Sequence, residues 1–481
     1  MKISGLIKVL KEKDILLKSS VDIDVNYISF NSNDIEKDTL FICKGMTFKE
    51  EYLQDAIDKG TICYISEKDY NKSIPCILVS DISIAQAVTA KWFYSKYDKL
   101  KKIGITGTKG KTTILNFIKN IIAEEIKMPA YLSTINYYTG KTTGVSHNTT
   151  PEAIDIYKCI KDAYDTDNDY LVMEVSSQAV KMRRVYEMDF DVGIFSNIGK
   201  DHVSPLEHKD FEDYFSCKLE FLKMCKKVIL YRHIDNYEKI KEILKDKEII
   251  TYGLTKDSDY YISDIDCKGD KTSFNVTCNG KTRNFSISML GSFNVLNAVS
   301  AIIVSDNYGI NDTSIKKGLL KTKVLGRMNV FNCNGITVIV DYAHNYISGK
   351  AFCNAIKQAY PNKNLKLVFG CPGDRGVNRR KEMADISNEY ASFVYITMED
   401  PQTKDVLDIS KEIASYLTVP HIINTDRKSA IINAINDSNK NDVVAILGKG
   451  DENYQIINNE YVFYESDIKV VEDISKKVLE G

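Results

Sequence analysis

Hydrophobic positions along the chain fall in short apolar runs separated by amphipathic stretches, the alternation of buried strand and covering helix that builds α/β layers. An amphipathic opening segment leads to Thr39-Leu-Phe-Ile-Cys43, Cys63-Tyr-Ile-Ser66 and Cys76-Ile-Leu-Val-Ser80, with a helical pattern from Glu50 to Lys59 between the first two. Residues 1–98 therefore read as a small α/β unit. From Lys101 the pattern becomes strand, glycine-rich turn and helix, and apolar runs follow at 170–175, 190–198 and 227–231. Such unbroken runs predict strands buried on both faces, as in a parallel sheet. Between Asp259 and Leu290 the residues alternate, and Cys267-Lys-Gly-Asp270 and Cys278-Asn-Gly-Lys281 supply turns. A β-hairpin or meander is predicted there, decorating the central sheet ahead of a helix at 293–303. After Gly326, parallel-type runs at 335–340, 365–369, 393–397 and 443–447 alternate with helical segments, as in a doubly wound domain.

Composition narrows the function classes. A chain of 481 residues has room for roughly three domains at about 150 residues each. Lys+Arg 64 against Asp+Glu 66 leaves a net charge of −2, which offers no polyanion-binding surface, so nucleic acid is not an expected partner. No apolar stretch approaches the ~18 residues of a membrane helix, and Met1 to Val21 mixes Lys and Asp throughout. The 11 cysteines contain no C-x-x-C pair, against both a disulfide framework and a zinc cluster. A soluble, cytoplasmic protein without membrane insertion is expected.

The strongest local signal is Gly104-Ile-Thr-Gly107-Thr108-Lys109-Gly110-Lys111-Thr112-Thr113 between a strand and a helical pattern. In a loop of this kind, from Gly107 to Thr113, backbone N–H groups wrap a triphosphate, Lys111 reaches the β- and γ-phosphates and the Thr112 hydroxyl binds Mg²⁺. ATP and Mg²⁺ are the implied cofactors. Glu174, where an apolar strand runs into Val-Ser176-Ser177, is the candidate second metal ligand, and His202 in Asp201-His202 offers a neutral nitrogen. Read alone, a glutamate after a strand is more often a solvated edge.

These residues occur in order with Asn148-Thr149-Thr150-Pro151-Glu152, Met173-Glu-Val-Ser-Ser-Gln178, Tyr214-Phe-Ser-Cys-Lys218 and Gly291-Ser-Phe-Asn294-Val-Leu-Asn297-Ala298. Gly326-Arg327-Met328, Asp341-Tyr-Ala-His344, Gly370-Cys-Pro-Gly-Asp-Arg375 and Gly448-Lys-Gly-Asp-Glu452 follow. Together they resemble the Mur ligase family over nearly the whole chain, and within it the MurE type, which adds the third amino acid to the UDP-MurNAc-peptide precursor of peptidoglycan.

The resemblance implies an α/β, three-domain ligase: a UDP-binding domain at 1–98, a central P-loop parallel-sheet ATPase at 99–325 and a C-terminal Rossmann-like, amino-acid-binding domain at 326–481. It implies a uridine contact at Ser32 and muramyl-peptide contacts at Thr149, Thr150, Ser176 and Arg184. Lys218 matches a lysine that the family carries as a carbamate (N6-carboxylysine), which would complete a metal-binding set with Thr112, Glu174 and His202. CO₂ addition turns a cation that Mg²⁺ would repel into an anionic oxygen ligand. Asn294 and Asn297 match positions near adenine, Arg327 the arginine that reaches the terminal phosphate, and Asp341 the residue near the ribose. Lys111, Glu174, His202, Lys218 and Arg327 are thus the expected catalytic set.

Arg375, Gly448 and Glu452 match positions that grip the incoming amino acid. The sequence departs from the family pattern where Lys109 replaces Asn, where Asn329 and Asp451 replace Glu and His, and at Glu399-Asp400-Pro401-Gln402. Diaminopimelate-adding enzymes carry Asp-Asn-Pro-Arg at the last of these. Neutral Gln402 cannot pair with a distal carboxylate as arginine does, whereas Glu399 and Asp400 suit a distal ammonium. The expected reaction is ATP-dependent amide formation through an acyl phosphate, with a UDP-MurNAc-dipeptide and a free diamino acid such as L-lysine as substrates and a monomer as the working form. The rival readings are a folylpolyglutamate-synthetase-type or other amide ligase, and a catalytically silent nucleotide-binding partner.

Overall fold

The computed structural model describes residues 1–19, 21–45, 48–199, 207–374 and 376–479. Two compact units emerge, one of residues 1–259 with 300–311 and the other of 260–299 with 312–481.

The first unit opens with a five-stranded sheet in the order Leu16–Lys18, Cys76–Val79, Thr61–Ser66, Thr39–Ile42, Tyr27–Ser29, parallel except for its first strand. Alternation along these strands splits their side chains between two cores. Leu40, Ile42, Cys63 and Ile65 face a large core with Ile3, Leu6 and Leu10 of the helix Ile3–Glu12, and Phe41 and Tyr64 face a smaller one with Leu53 and Ala56 of Glu50–Asp58. The helix Ile82–Tyr94 packs on Ala153–Asp165, and the large core runs on without a break into the second sheet of this unit. The expected boundary at 98/99 falls within this unit, just before the strand Lys101–Thr106.

That second sheet runs Glu248–Gly253, Cys225–Tyr231, Phe190–Phe195, Lys101–Thr106, Tyr170–Glu174, Ala130–Leu132, all parallel. The short antiparallel strands Asn136–Tyr138 and Thr143–Val145, which the hydrophobic pattern does not announce, extend its edge. Lys101–Thr106 is the strand from which the chain first builds one way, to Tyr170–Glu174 and Ala130–Leu132, and then the other, to Phe190–Phe195. Ligands of open parallel sheets bind at such a switch point.

In the second unit Tyr260–Lys268, Lys271–Cys278 and Lys281–Ile287 form the expected antiparallel meander, with Gly269 and Asn279-Gly280 at positive φ in its turns. A six-stranded sheet follows in the order Asn329–Cys333, Ile336–Asp341, Asp442–Leu447, Asn364–Phe369, Phe393–Ile396, His421–Ile423. All but the first strand are parallel. Asn329–Cys333 is half-buried, with Asn329 and Asn332 interrupting Val330, Phe331 and Cys333, which hides it from an apolar-run reading, but the Asn334-Gly335 turn at positive φ pairs it with Ile336–Asp341.

Candidate active site

The phosphate loop is built by its neighbours. Gly107 follows Lys101–Thr106 with φ +149°, and a Cβ there would stand 2.0 Å from Ser196 Oγ, so only glycine fits. Asn197 grips Lys109 from both sides, its Oδ1 accepting from Lys109 N and its Nδ2 donating to Lys109 O, each at 2.9 Å. Gly110, φ +89°, caps the helix Lys111–Glu125, whose first amides and dipole face the loop's mouth. Thr113 is buried behind it.

Lys111 Nζ donates to Gly107 O at 2.9 Å, and Lys218 Nζ reaches the same oxygen at 3.1 Å from the helix Phe211–Lys223. Lys218 is 1% exposed, stands 4.4 Å from the Tyr214 ring centroid, and Tyr214 Oη meets Thr108 Oγ1 at 3.0 Å. Burying one ammonium close to a second carries an electrostatic cost.

Glu174 is fully buried and is the hub of the site. Its Oε1 accepts from Thr112 Oγ1 at 2.8 Å and Thr134 N at 2.9 Å, and its Oε2 from Thr134 Oγ1 at 2.9 Å. Its own carbonyl takes the Thr150 hydroxyl at 2.9 Å, and that hydroxyl oxygen accepts from Ser176 N at 3.0 Å. Thr134 Oγ1 also meets Thr149 Oγ1 at 3.2 Å, and Arg184 donates to Thr150 O at 3.0 Å. Glu174 therefore ties the phosphate loop to Thr149 through its carboxylate and Thr134, and to Thr150, Ser176 and Arg184 through its backbone carbonyl. Glu152 pairs with both Arg184 (2.7 Å) and Lys44 (2.8 Å), extending this wall toward the five-stranded sheet. Ser32 is buried in the loop after Tyr27–Ser29, where its carbonyl accepts from Lys59 Nζ at 2.9 Å. His202 and Arg375 lie outside the described residues.

The other expected residues gather in the second unit. Asn294 and Asn297 are buried on the helix Ser292–Asn307, joined by a 3.2 Å hydrogen bond. Asp341 receives Met328 N at 2.8 Å and Ala343 N at 2.7 Å, so it braces the turn that carries Arg327. The Arg327 guanidinium lies 4.5 Å from the Tyr342 ring centroid. Tyr342 Oη donates to Glu452 Oε1 at 2.8 Å.

The strands Ile336–Asp341, Asn364–Phe369, Phe393–Ile396 and Asp442–Leu447 are parallel, so the loops bearing Asp341, Gly370, Glu399–Gln402 and Gly448–Glu452 leave one edge of the sheet. The acids there differ in what they face. Asp400 binds Lys449 Nζ at 2.9 Å and accepts from Ile456 N at 3.1 Å, and Lys449, 1% exposed, also reaches Glu452 at 2.6 Å. Asp400 is thus already neutralised by an internal cation. Glu399 is equally buried, its carboxylate makes no hydrogen bond among the described residues, and burial pushes its pKa up to about 7 against the pull of Arg427. A Cβ on Gly448, φ +112°, would stand 2.8 Å from Glu399 Oε2. The Gln402 side chain is engaged by another loop: its Oε1 accepts from Asp374 N at 2.7 Å.

Sequence reading did not single out Thr134, Tyr214, Tyr342 or Lys449. Lys449 sits inside the Gly-Lys-Gly-Asp-Glu run and Tyr214 one helical turn before Lys218, which are the signals that could have found them.

Oxygen donors at Thr112 and buried Glu174 suit a hard divalent cation. Lys218 fits the same set only as an anion.

Comparison with known proteins follows this geometry. Residues 105–305 match the model of the Mur ligase middle domain and residues 326–450 that of the Mur ligase glutamate ligase domain. The UDP-N-acetylmuramoyl-L-alanyl-D-glutamate--L-lysine ligase of Streptococcus agalactiae serotype Ia is 39% identical, covering 95% of this chain and 93% of its own. A solved UDP-N-acetylmuramoyl-L-alanyl-D-glutamate--2,6-diaminopimelate ligase superposes with TM-score 0.68 at 24% identity, over 95% of this chain and 97% of that one. Folylpolyglutamate synthase from Thermotoga maritima shares the fold less completely, with TM-score 0.57 at 16% identity over 76% of this chain and 90% of its own.

Proposed function

The chain belongs to the Mur ligase family, and from that premise we propose that it joins L-lysine to UDP-MurNAc-L-Ala-D-Glu at the expense of ATP, as the third residue of a peptidoglycan precursor. The observation that carries this reading is Glu174, a single buried carboxylate hydrogen-bonded to the phosphate-loop Thr112 and to Thr134 of the wall that holds Thr149, Thr150 and Ser176. Such a hub supports a reading in which a phosphoryl donor and a peptide carboxylate would bind side by side. The domains 1–98, 99–325 and 326–481 would contribute the UDP, ATP and amino-acid sites in turn.

A carboxylate is too electron-rich for an amine to attack. In the first step a carboxylate oxygen of the D-Glu residue attacks the γ-phosphorus and ADP leaves, giving an acyl phosphate. In the second the lysine α-amine attacks the acyl carbon, phosphate departs with the C–O bond electrons, and the nitrogen loses a proton. Lys111, the loop amides and Arg327 spread the charge on the transferring phosphoryl, so positioning and electrostatics supply most of the rate. Mg²⁺ would be held by Thr112, Glu174, His202 and carbamylated Lys218, where it would neutralise phosphate oxygens. Asn294, Asn297 and Asp341 are assigned to the adenosine end, Ser32 to uridine, and Arg375, Gly448 and Glu452 to the α-groups of the amino acid. Asp400 is paired with Lys449, so Glu399 is the carboxylate left for the distal ammonium.

Ligation measured with UDP-MurNAc-L-Ala-D-Glu and L-lysine, L-ornithine, L-alanine or meso-diaminopimelate tests the reading. L-Lysine should give the highest kcat/KM. Preference for meso-diaminopimelate would overturn the assignment of Glu399 and Gln402.

A further inference from the structure

Arg427 opens the helix Arg427–Asn436 and Asp467 opens Asp467–Leu479, and neither belongs to any motif named above. Their side chains are 1% and 0% exposed. They meet as a two-pronged fork, Nε to Oδ1 at 2.8 Å and Nη2 to Oδ2 at 2.7 Å. The remaining guanidinium bonds run to two loop bases: Nη1 donates to Met398 O at 3.1 Å and Nη2 to Leu447 O at 2.8 Å. Asp467 in turn accepts from Gly450 N at 3.2 Å and Tyr464 Oη at 2.7 Å.

These partners sit at the bases of two functional loops. Met398 immediately precedes Glu399, Leu447 immediately precedes Gly448, and Gly450 lies in the same turn as Lys449. The loops they anchor touch at the point where the Glu399 carboxylate abuts the Gly448 backbone. The ion pair by itself adds little stability over an apolar pair, but its directional bonds to Met398 O, Leu447 O and Gly450 N satisfy both loops and fix their spacing.

We propose that Arg427 and Asp467 are positioning residues for the incoming amino acid, a buried clamp that sets the separation of the Glu399 carboxylate from the Gly448 turn. The clamp lets one pocket hold the α-groups and the distal ammonium of a single diamino acid together, and so sets the side-chain length the pocket accepts. This inference rests on the functional reading above, in which those loops receive the amino acid.

The test compares the full-length wild type with Arg427→Lys, Asp467→Asn, the apolar double variant Arg427→Met/Asp467→Leu and the mild Tyr464→Phe. Steady-state constants are taken for L-lysine, L-ornithine, ATP and the UDP-dipeptide, with melting temperature alongside. The charged-site variants should raise the KM for L-lysine tenfold or more and narrow the lysine-to-ornithine ratio, while the KM for ATP stays within twofold. The double variant loses the bonds to Met398 O, Leu447 O, Gly450 N and Tyr464 Oη and should melt lower than wild type, so Tyr464→Phe and Arg427→Lys, which disturb less, separate spacing from stability. Tyr464→Phe removes one hydrogen bond and no charge, so it should fold even if the others do not and should raise the lysine KM two- to threefold. An unchanged lysine KM and ratio in every folded variant, or a uniform loss across all substrates that tracks melting temperature, overturns the clamp. Failure of the wild type to use either diamino acid would instead overturn the functional reading.

Discussion

Lys111 and Lys218 converge on one acceptor, the carbonyl oxygen of Gly107, from the helix that follows the phosphate loop and from a helix more than a hundred residues later in the chain. Two cations at one carbonyl repel each other, and burial sharpens the repulsion. Carbamylation of Lys218, as proposed, would set an anion in place of one of the two cations.

Lys218→Ala should therefore lower kcat by roughly 100-fold or more, the scale of losing an electrostatic group at a phosphoryl-transfer site. Added short-chain carboxylic acids should restore part of it, because the missing group is a small carboxylate. Intact-protein mass measured at neutral pH under CO₂ should show the adduct on wild type and not on the variant.

Glu174→Gln keeps the shape of the hub but removes its charge and leaves one acceptor where the carboxylate had two. Turnover should fall by about 100-fold or more with a melting temperature near that of wild type, and the KM for the UDP-dipeptide should rise as well as that for ATP. A change confined to ATP would show that Glu174 serves the nucleotide side alone.

The hydrophobic record made much of this arrangement legible. Unbroken apolar runs such as Leu171-Val-Met173 and Val443-Val-Ala-Ile446 are buried on both faces and could be read as parallel strands, and the polar residues after them fall at the sheet edges where ligands bind. Asn329–Cys333 and Thr143–Val145 were hidden because edge strands need no apolar alternation. The acidic pair was the harder case. Glu399 and Asp400 are adjacent and chemically alike, and what separates them is Lys449, a partner some fifty positions away that only the folded chain brings to Asp400.

The pH dependence should report that separation. The Glu399 carboxyl is held up at about 7, so it is largely neutral at pH 6 and ionised at pH 8, and only the anion pairs strongly with an ammonium. The KM for L-lysine should fall severalfold as pH rises through about 7, and Glu399→Gln should flatten this profile while raising KM throughout. For folding the sign is opposite. A carboxyl whose pKa is raised in the folded state binds its proton more tightly there, so its contribution to stability is present below the ordinary carboxylate pKa and is lost as pH rises through about 7. Denaturant titrations at pH 5 and 8 should show the variant losing less stability than wild type across that window.

Gln402→Arg introduces a guanidinium beside the loop that Gln402 now braces at Asp374. It should raise the kcat/KM for meso-diaminopimelate relative to L-lysine by at least about tenfold, since a paired distal carboxylate gains what an unpaired one forfeits. An unchanged ratio would show that position 402 does not face the distal group.

The loops bearing Gly370, Glu399 and Gly448 all leave one edge of the six-stranded sheet, while Leu367, Ile396 and Ala445 hold that sheet together from within. The choice of cell-wall building block is thereby placed on the rim and on the Arg427–Asp467 clamp behind it, apart from the apolar strands of the sheet. Rewriting a few positions along this rim, with the clamp that spaces it, retunes which amino acid is accepted while the apolar strands stay as they are, which makes the rim the first place to engineer ligases for unnatural side chains.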